Sequence, residues 1–316
     1  MINITNQEDC CGCKACEQVC PKECIEMVSD SEGFWYPKVS TDKCIKCGLC
    51  EQVCPELNHL TINTPKIAYA GFNSSEDVRK KSSSGGVFTA LASDILERNG
   101  VVFGAKFDSS WNVVHDYAET LDGVSSFQGS KYVQSDIRKT YSEIKSFLET
   151  GRYVLFSGTP CQVAGLKLYL RKTYDRLISV DFICHGVPSP KVWRDYLRAV
   201  NPKASDINSI SFRDKTFGWN KFSLKIKTKP QSFIEPLNKN LYLKGFLQDL
   251  YLRPSCYKCS VKKFNSGSDV TLADFWGVEK ELEGFSDDQG TSAIIVNSQL
   301  GLNIVNGLYL KKEEVP

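Results

Sequence analysis

Near its N-terminus the chain reads Cys10-Cys11-Gly12-Cys13-Lys14-Ala15-Cys16-Glu17-Gln18-Val19-Cys20-Pro21. Four of these cysteines have the spacing C-x2-C-x2-C-x3-C-P, and the same spacing recurs at Cys44, Cys47, Cys50 and Cys54, directly before Pro55. A doubled run with a proline after each copy is far more specific than a lone C-x2-C pair. The two runs therefore predict a small module of duplicated origin that is built around bound metal.

This spacing is the bacterial ferredoxin signature for two [4Fe-4S] clusters, in which the fourth cysteine of each run ligates the other run's cluster. We assign one ligand set, called site I, to Cys10, Cys13, Cys16 and Cys54. The other set, called site II, consists of Cys20, Cys44, Cys47 and Cys50. Two further cysteines, Cys11 and Cys24, lie outside the repeated spacing, and we interpret them as non-ligands.

Two other uses of cysteine fit less well. A zinc site takes four ligands from two C-x2-C pairs, whereas each run here already holds four spaced cysteines. A disulfide framework is typical of short secreted chains, and this N-terminus lacks a basic region followed by an apolar stretch. The 14 cysteines therefore indicate a cytoplasmic protein whose thiolates bind metal.

Charge and hydropathy exclude two classes of partner. The 316 residues include 39 basic and 37 acidic side chains, a net charge of +2. This near-equality of basic and acidic residues argues against a protein that binds nucleic acid or a membrane surface. No apolar run approaches the ~20 residues that span a bilayer, so we expect no membrane span.

The rest of the chain predicts a second, larger domain of the α/β class. We place the two-cluster ferredoxin domain at residues 1–62 and the larger domain at 63–316, with the polar segment 58–65 as a linker. Helical periodicity predicts helices over 85–99 and 135–150, the first ending with Gly100 as its C-cap. Two more helices are predicted over 162–172, between two strands, and over 242–252, after the hairpin described next. Apolar and alternating runs predict strands over 101–107, 112–118, 152–156 and 177–183, and a hairpin over 207–214 and 222–228. The strand–helix–strand series implies a mixed, partly parallel sheet.

Four cysteines remain in the larger domain: Cys161, Cys184, Cys256 and Cys259. Cys161 and Cys184 each follow a predicted parallel strand, and ligand sites form outside the carboxyl ends of such strands. Four thiols suffice for one more cluster. From spacing alone, buried packing, a zinc site or a redox dithiol explains these cysteines equally well.

A flavin is expected on chemical grounds, because clusters pass single electrons whereas most organic substrates exchange two. Ser83-Ser84-Gly85-Gly86 opens the first helix of the larger domain, where glycines and the helix N-terminus favour a phosphate. Lys131 is placed to balance a second phosphate oxygen. A plain loop with serine caps is the commoner origin of such a string, and the chain has no G-x-G-x-x-G fingerprint.

Several motifs in order resemble the coenzyme F420 hydrogenase/dehydrogenase beta-subunit family. Besides the ferredoxin runs, they are Lys81 to Val87, Gly129 to Ser135, Ser157 to Gln162, Cys184-His185-Gly186, Cys256-x2-Cys259 and Ala273-Asp274-Phe275-Trp276-Gly277. The resemblance implies a flavin–iron–sulfur oxidoreductase in which Cys161, Cys184, Cys256 and Cys259 ligate an inner [4Fe-4S] cluster, called site III, beside FAD. We expect FAD to contact Ser83, Ser84, Gly85, Gly86, Gly129, Ser130, Lys131 and Thr159.

The expected function is electron transfer between ferredoxin or a partner subunit and an unidentified small molecule, through the three sites and FAD. His185 is the best-placed histidine for proton transfer to a substrate, with a hydrogen bond to cluster sulfur as its alternative role. The alternatives for the whole chain are an electron-transfer subunit without its own substrate and a structural zinc protein.

Two features depart from the family pattern. Ala273 stands where we expect glycine, which puts close backbone approach there in doubt. Pro316 is an early end for the family, so a truncated C-terminus that lacks part of the substrate site is one expectation.

Overall fold

The computed structural model describes residues 1–60, 64, 66–201, 206–229 and 232–315. Half of the predicted linker at 58–65 lies outside these residues. The predicted division between residues 62 and 63 falls there too, and it remains a prediction.

The N-terminal part repeats one local conformation at both cysteine runs. Helix α1 (Ala15–Val19) and helix α2 (Leu49–Gln52) each carry the third cysteine of a run. The residue before each helix is left-handed, with φ of 61° at Lys14 and 76° at Gly48. Between the helices, β1 (Ile25–Ser29) and β2 (Trp35–Val39) form an antiparallel hairpin. The sequence repeat is thus a structural repeat.

The larger part alternates strands and helices. The strands are β3 (Ile67–Asn73), β4 (Val101–Phe107), β5 (Val113–Ala118), β6 (Val154–Ser157), β7 (Leu177–Phe182), β8 (Ile207–Asp214), β9 (Ser223–Thr228), β10 (Ser232–Pro236), β11 (Val270–Asp274), β12 (Ser292–Val296) and β13 (Leu310–Val315). The helices are α3 (Glu76–Lys81), α4 (Val87–Glu97), α5 (Leu121–Ser125), α6 (Thr140–Glu149), α7 (Pro160–Leu170), α8 (Pro190–Val200), α9 (Leu241–Leu247) and α10 (Gln299–Gly307). A 3-10 helix spans Pro254–Lys258.

The main sheet has eight strands in the order β13-β3-β12-β11-β7-β6-β4-β5. β4, β6, β7 and β11 are parallel to one another, and the remaining pairs are antiparallel. A separate antiparallel sheet has the order β10-β9-β8. The expected mixed, partly parallel sheet and the predicted hairpin are therefore confirmed.

Apolar helix faces cover both sides of the main sheet. On one side α4 buries Leu91 and Ile95 against Leu155 and Ile178 of the parallel strands. On the other side α6 and α7 pack on β4 and β6, and the same cluster includes Cys11 and Cys13. A fully buried leucine or isoleucine contributes about 1.5–3 kcal/mol, so these layers are the main source of stability. The cysteine-rich N-terminus is packed against α7.

Several boundaries differ from those predicted. The helix predicted over 85–99 begins only at Val87, because Gly86 is left-handed with φ 81°. It ends at Glu97, and Asn99 with φ 56°, not Gly100, adopts the left-handed conformation. The helix predicted over 242–252 ends at Leu247, and Asp249 then has φ 60°.

Candidate iron–sulfur and flavin sites

The cysteines assigned to site II line one cavity that is partly open to solvent. Its lining includes Cys20 from the first run and Cys44, Cys47 and Cys50 from the second, together with Met1 and Leu49. Cys24 also lines the cavity, and its Sγ lies 3.4 Å from the Sγ of Cys20. The cavity thus combines three thiols of one run with the fourth thiol of the other.

The cysteines assigned to site I line a second cavity that is partly open to solvent. They are Cys10, Cys13 and Cys16 from the first run with Cys54 from the second, and Cys11 lies beside them. Burial raises the pKa of Cys16, and the neighbouring Cys10 and Cys54 raise it further. Buried thiolates this close repel one another, so bound cationic iron is the natural means of stabilising them together. The ligand assignment for both sites stays a prediction that this grouping supports.

The four cysteines of site III come together from distant parts of the chain. Cys161 is near the start of α7, Cys184 follows β7, Cys256 is in the 3-10 helix, and Cys259 follows that helix. The Sγ of Cys256 accepts from the backbone N–H of Val187 at 3.5 Å. Burial raises the pKa of Cys184, and the charges of Cys161, Cys256 and Cys259 raise it further. The carboxyl ends of β6 and β7 therefore meet the C-x2-C pair, as the topology predicted.

A site for a single metal ion differs from a cluster site, because its ligands must converge on one point. Within the described ranges, no three His, Cys, Asp or Glu side chains converge closely enough to hold one metal ion.

Sites I and III meet on α7. A β-carbon on Gly165, one turn after Cys161, would lie 3.0 Å from the Sγ of Cys13. Cys11 lies between the two sites, within hydrogen-bonding reach of both Cys13 and Cys161. The contact with Cys13 raises the pKa of Cys11, the contact with Cys161 lowers it, and the pKa is raised overall. Cys11, which we interpreted as a non-ligand, therefore lies between two predicted ligand sets, a position that its place outside the repeat did not reveal.

The predicted flavin loop is held against the sheet by its own polar groups. Gly85 N–H donates to the Oγ of Ser292 at 3.0 Å, and the Oγ of Ser84 donates to the carbonyl of Thr291 at 2.9 Å. The backbone N–H of Ser130 donates to the Oγ of Ser83 at 2.6 Å, which brings the 129–131 segment to the loop. Gly86 precedes α4, and no side chain caps the first amides of that helix. Those amides remain suited to an anion.

Two of the predicted flavin contacts have other partners. Lys131 Nζ donates to the carbonyls of Ser126, Phe127 and Gln128 at 2.9–3.1 Å, just after α5. An ammonium group has three donors, so these carbonyls use all of them, which argues against the phosphate contact. The Oγ1 of Thr159 lies 3.1 Å from the Sγ of Cys161 and so belongs beside site III.

Residues that belong to no sequence motif also contact the predicted flavin loop. Lys215 Nζ donates to the carbonyl of Ser84 at 2.9 Å, and Trp219 Nε1 donates to that of Ser83 at 3.1 Å. Trp219 stacks on Trp276 with ring centroids 4.2 Å apart. The sole sequence signal for this arrangement was Trp276, which lies in a motif of the family resemblance.

Arg213 lies beneath the tryptophan pair. Its Nη1 donates to Asp274 at 2.7 Å and to the hydroxyl of Tyr132 at 3.2 Å. Its Nε and Nη2 are buried and have no hydrogen-bond partner among the residues that the structure describes. Sequence reasoning noted Asp274 and missed Arg213, since nothing near Arg213 repeats or matches a motif.

His185 lies beside an acidic and an aromatic side chain. Its Nε2 lies 2.6 Å from Asp249 Oδ1, and its ring meets the edge of Phe246 with centroids 4.9 Å apart. A proton-transfer role for His185 remains a prediction. Separately, no helix in the described part of the chain is both long and apolar enough to cross a bilayer.

Comparison with known proteins agrees with this architecture. Residues 9–57 match the model of a 4Fe-4S dicluster domain. Residues 68–140 match the N-terminal domain of the coenzyme F420 hydrogenase/dehydrogenase beta subunit, and residues 151–314, just over half of the chain, match its C-terminal domain. No protein of curated function matches.

Among solved structures, the chain is similar to one from the F420-reducing [NiFe] hydrogenase complex of Methanosarcina barkeri, studied by xenon derivatization. Identity is 19%, the match covers 81% of this chain and 83% of that one, and the TM-score is 0.55. At this identity the likeness shows the fold. Together with the domain matches, it identifies the chain as an iron–sulfur electron-transfer protein of the coenzyme F420 hydrogenase/dehydrogenase beta-subunit family.

Proposed function

We propose that the chain is an iron–sulfur flavoprotein oxidoreductase. It takes electrons from reduced ferredoxin or a partner subunit and passes them through sites II, I and III and FAD to a small-molecule acceptor. The observation that carries this proposal is the contact of Cys13 with α7, one turn from Cys161, because it joins the outer ligand sets to the inner one.

The exposure of the cysteines supports this order of the sites from surface to interior. Cys47 of site II is exposed, and the neighbouring Ile45 is 58% exposed. Cys13 and Cys16 of site I are buried. Site II is therefore the end that a redox partner reaches, and site I relays electrons inward.

The residues around the predicted flavin loop fit such a cofactor. The uncapped amides of α4 suit a phosphate, and a side chain at Gly129, with φ 78°, would meet nothing within 4 Å. Trp276 is 49% exposed and offers an aromatic face. Lys131 is not part of the proposed site, since its donors are occupied.

The cofactors, when bound, join one-electron carriers to two-electron chemistry. Two reduced partner molecules each lose one electron, and the acceptor gains both electrons with two protons from solvent. The polypeptide holds the three sets of thiolates next to one another, excludes water around site I and orients the flavin at the Ser83–Gly86 loop.

The test is anaerobic purification of the full chain, followed by measurement of iron, acid-labile sulfide and flavin. About twelve irons and one FAD per chain support the proposal, because each [4Fe-4S] cluster holds four irons. Cys256→Ala should remove about four irons and leave the outer clusters intact. Eight irons without flavin in the unmodified chain would contradict both the third cluster and the flavin.

A second function, an electron-transfer subunit without its own substrate, is favoured by one surface. Phe182, Ile183 and Trp276 are 40%, 59% and 49% exposed where β7 and β11 end. An exposed apolar patch of this kind is typical of a surface that a partner covers. Stopped-flow reduction with and without a candidate acceptor distinguishes the two, since a pure relay would not turn over alone.

A further inference from the structure

Arg253 is a fully buried arginine between the ferredoxin part and the larger part, with 0% of its surface exposed. Its Nε donates to the carbonyl of Cys10 at 2.7 Å, and its Nη2 donates to the carbonyl of Trp35 at 2.9 Å. Its Nη1 donates to the Oε1 of Gln134 at 3.2 Å. Each nitrogen thus donates one hydrogen bond, and all three acceptors are neutral, so these bonds do not balance the charge of the guanidinium.

No carboxylate compensates for this charge at close range. Across the described residues, none of the ion pairs within 4.0 Å includes Arg253. The rings of Tyr36 and Phe34 lie 4.4 Å and 5.5 Å from its central carbon. Arginine cannot shed its proton, and an unpaired buried charge is strongly unfavourable. A counter-charge must therefore come from elsewhere.

The cysteines assigned to sites I and III supply negative charge when they bind metal as thiolates. The Nε of Arg253 donates to the carbonyl of Cys10 at 2.7 Å, and the backbone N–H of Cys256 donates to the carbonyl of Arg253 at 2.9 Å. Cys10 belongs to site I and Cys256 to site III, so Arg253 is hydrogen-bonded to a ligand residue of each set.

Glycine makes this approach possible. Gly12, between Cys10 and Cys13, has φ 71°, and a β-carbon there would lie 2.8 Å from Nη1 of Arg253. The same β-carbon would lie 2.7 Å from Nε2 of Gln134. The ligand loop of site I is thus closed directly over the guanidinium.

We propose that Arg253 is a positioning residue that supplies the shared counter-charge of sites I and III and raises the reduction potentials of both. This inference rests on the proposed function, because it requires clusters at both sites. Reduction adds negative charge to a cluster, and a positive charge held in a low-dielectric interior stabilises the reduced form. Site II is the internal control, since its lining includes no residue that Arg253 contacts.

The experiment is a redox titration of the full chain, prepared anaerobically and followed by paramagnetic resonance. Arg253→Met removes the charge at similar length, and we expect sites I and III to shift to more negative potentials while site II stays in place. A tenfold change in the reduction equilibrium corresponds to about 59 mV for one electron, and we expect at least that. Arg253→Lys keeps the charge and should shift less. Equal shifts in the two variants would overturn the proposal.

Gln134→Glu tests the same electrostatic effect on the reduction potentials and keeps Arg253 in place. It puts a carboxylate beside Nη1 in nearly the same shape, so the charge is neutralised and the shift has the same sign. This variant decides the question if Arg253→Met fails to fold, with iron and sulfide content as the check on loading. Unmoved potentials in a fully loaded Gln134→Glu protein would overturn the role of Arg253 alone. An unmodified chain without three clusters would overturn the proposed function as well.

Discussion

Gly165 of α7 faces Cys13 so closely that a β-carbon at position 165 would lie 3.0 Å from Sγ and 3.1 Å from the hydroxyl oxygen of Tyr141. Contacts of that length are tight, so a side chain at position 165 would push its neighbours away by a few tenths of an ångström. Glycine lets the ferredoxin part pack closely on α7, the helix that carries Cys161 near its start.

Gly165→Ala should separate these two sites slightly. Overpacking costs about 1–3 kcal/mol, and the gain in helix propensity of about 1 kcal/mol offsets part of it. We expect unfolding at lower denaturant and slower electron transfer from site I to site III, measured by stopped flow.

The matched control is Gly307→Ala. Gly307 is the last residue of α10, and a β-carbon there would meet nothing within 4 Å. It should be neutral or slightly stabilising, without effect on electron transfer. Equal behaviour of the two alanine variants would contradict the close contact at Gly165.

Cys24 should act as a reserve ligand for site II. Its Sγ is 3.4 Å from the Sγ of Cys20 and lines the same cavity. We expect Cys24→Ala to keep all its iron, and Cys20→Ala to keep a cluster at site II through Cys24. The double variant should lose about four irons, counted by iron and sulfide analysis. Loss of site II in Cys20→Ala alone would show that Cys24 cannot replace it.

Locally encoded features were predictable from the sequence. Strands β6 and β7 are short, mostly apolar runs. Helix α6 follows from its periodicity, and α7 from its place in the chain between those two strands. The cysteine spacing likewise grouped the thiols of sites I and II as the cavities do. Each of these signals lies within a short window of sequence.

Features that depend on distant pairing were not predictable. β3 pairs with β12, more than 200 residues away, and neither strand was foreseen. Lys131 was assigned to a phosphate because the short helix α5, whose end occupies its ammonium group, was not predicted. Arg213 and Arg253 act through burial and position, which a single sequence does not display.

His115 should make stability depend on pH in the acid range. Burial lowers its pKa from 6.5 to about 4, with its Nε2 3.1 Å from the carbonyl oxygen of Ser157. The folded pKa lies below the unfolded one, so this contribution is complete above pH 6.5 and is lost as pH falls toward 4. About 2.5 pH units correspond to about 3 kcal/mol.

The measurement is denaturant unfolding of the fully loaded protein and of His115→Gln between pH 7 and pH 4. The glutamine can still donate to Ser157 and does not titrate, and comparison at each pH cancels the acid sensitivity of the clusters. The stability difference should shrink as pH falls. Parallel curves would show that His115 is not the titrating group.

Trp276→Ala should weaken flavin binding without loss of iron. The indole is 49% exposed and stacks on Trp219, which in turn holds the carbonyl of Ser83 in the predicted flavin loop. Aromatic stacking contributes about 1 kcal/mol, so the affinity for FAD should fall by about fivefold, measured by titrating flavin-free protein. Tyr309→Ala is the control, because Tyr309 is 87% exposed and lies between α10 and β13. If Trp276→Ala bound FAD as tightly as the control, the flavin would have to lie away from the tryptophan pair. The surface around Trp276 and Trp219 would then bind the acceptor instead of the cofactor.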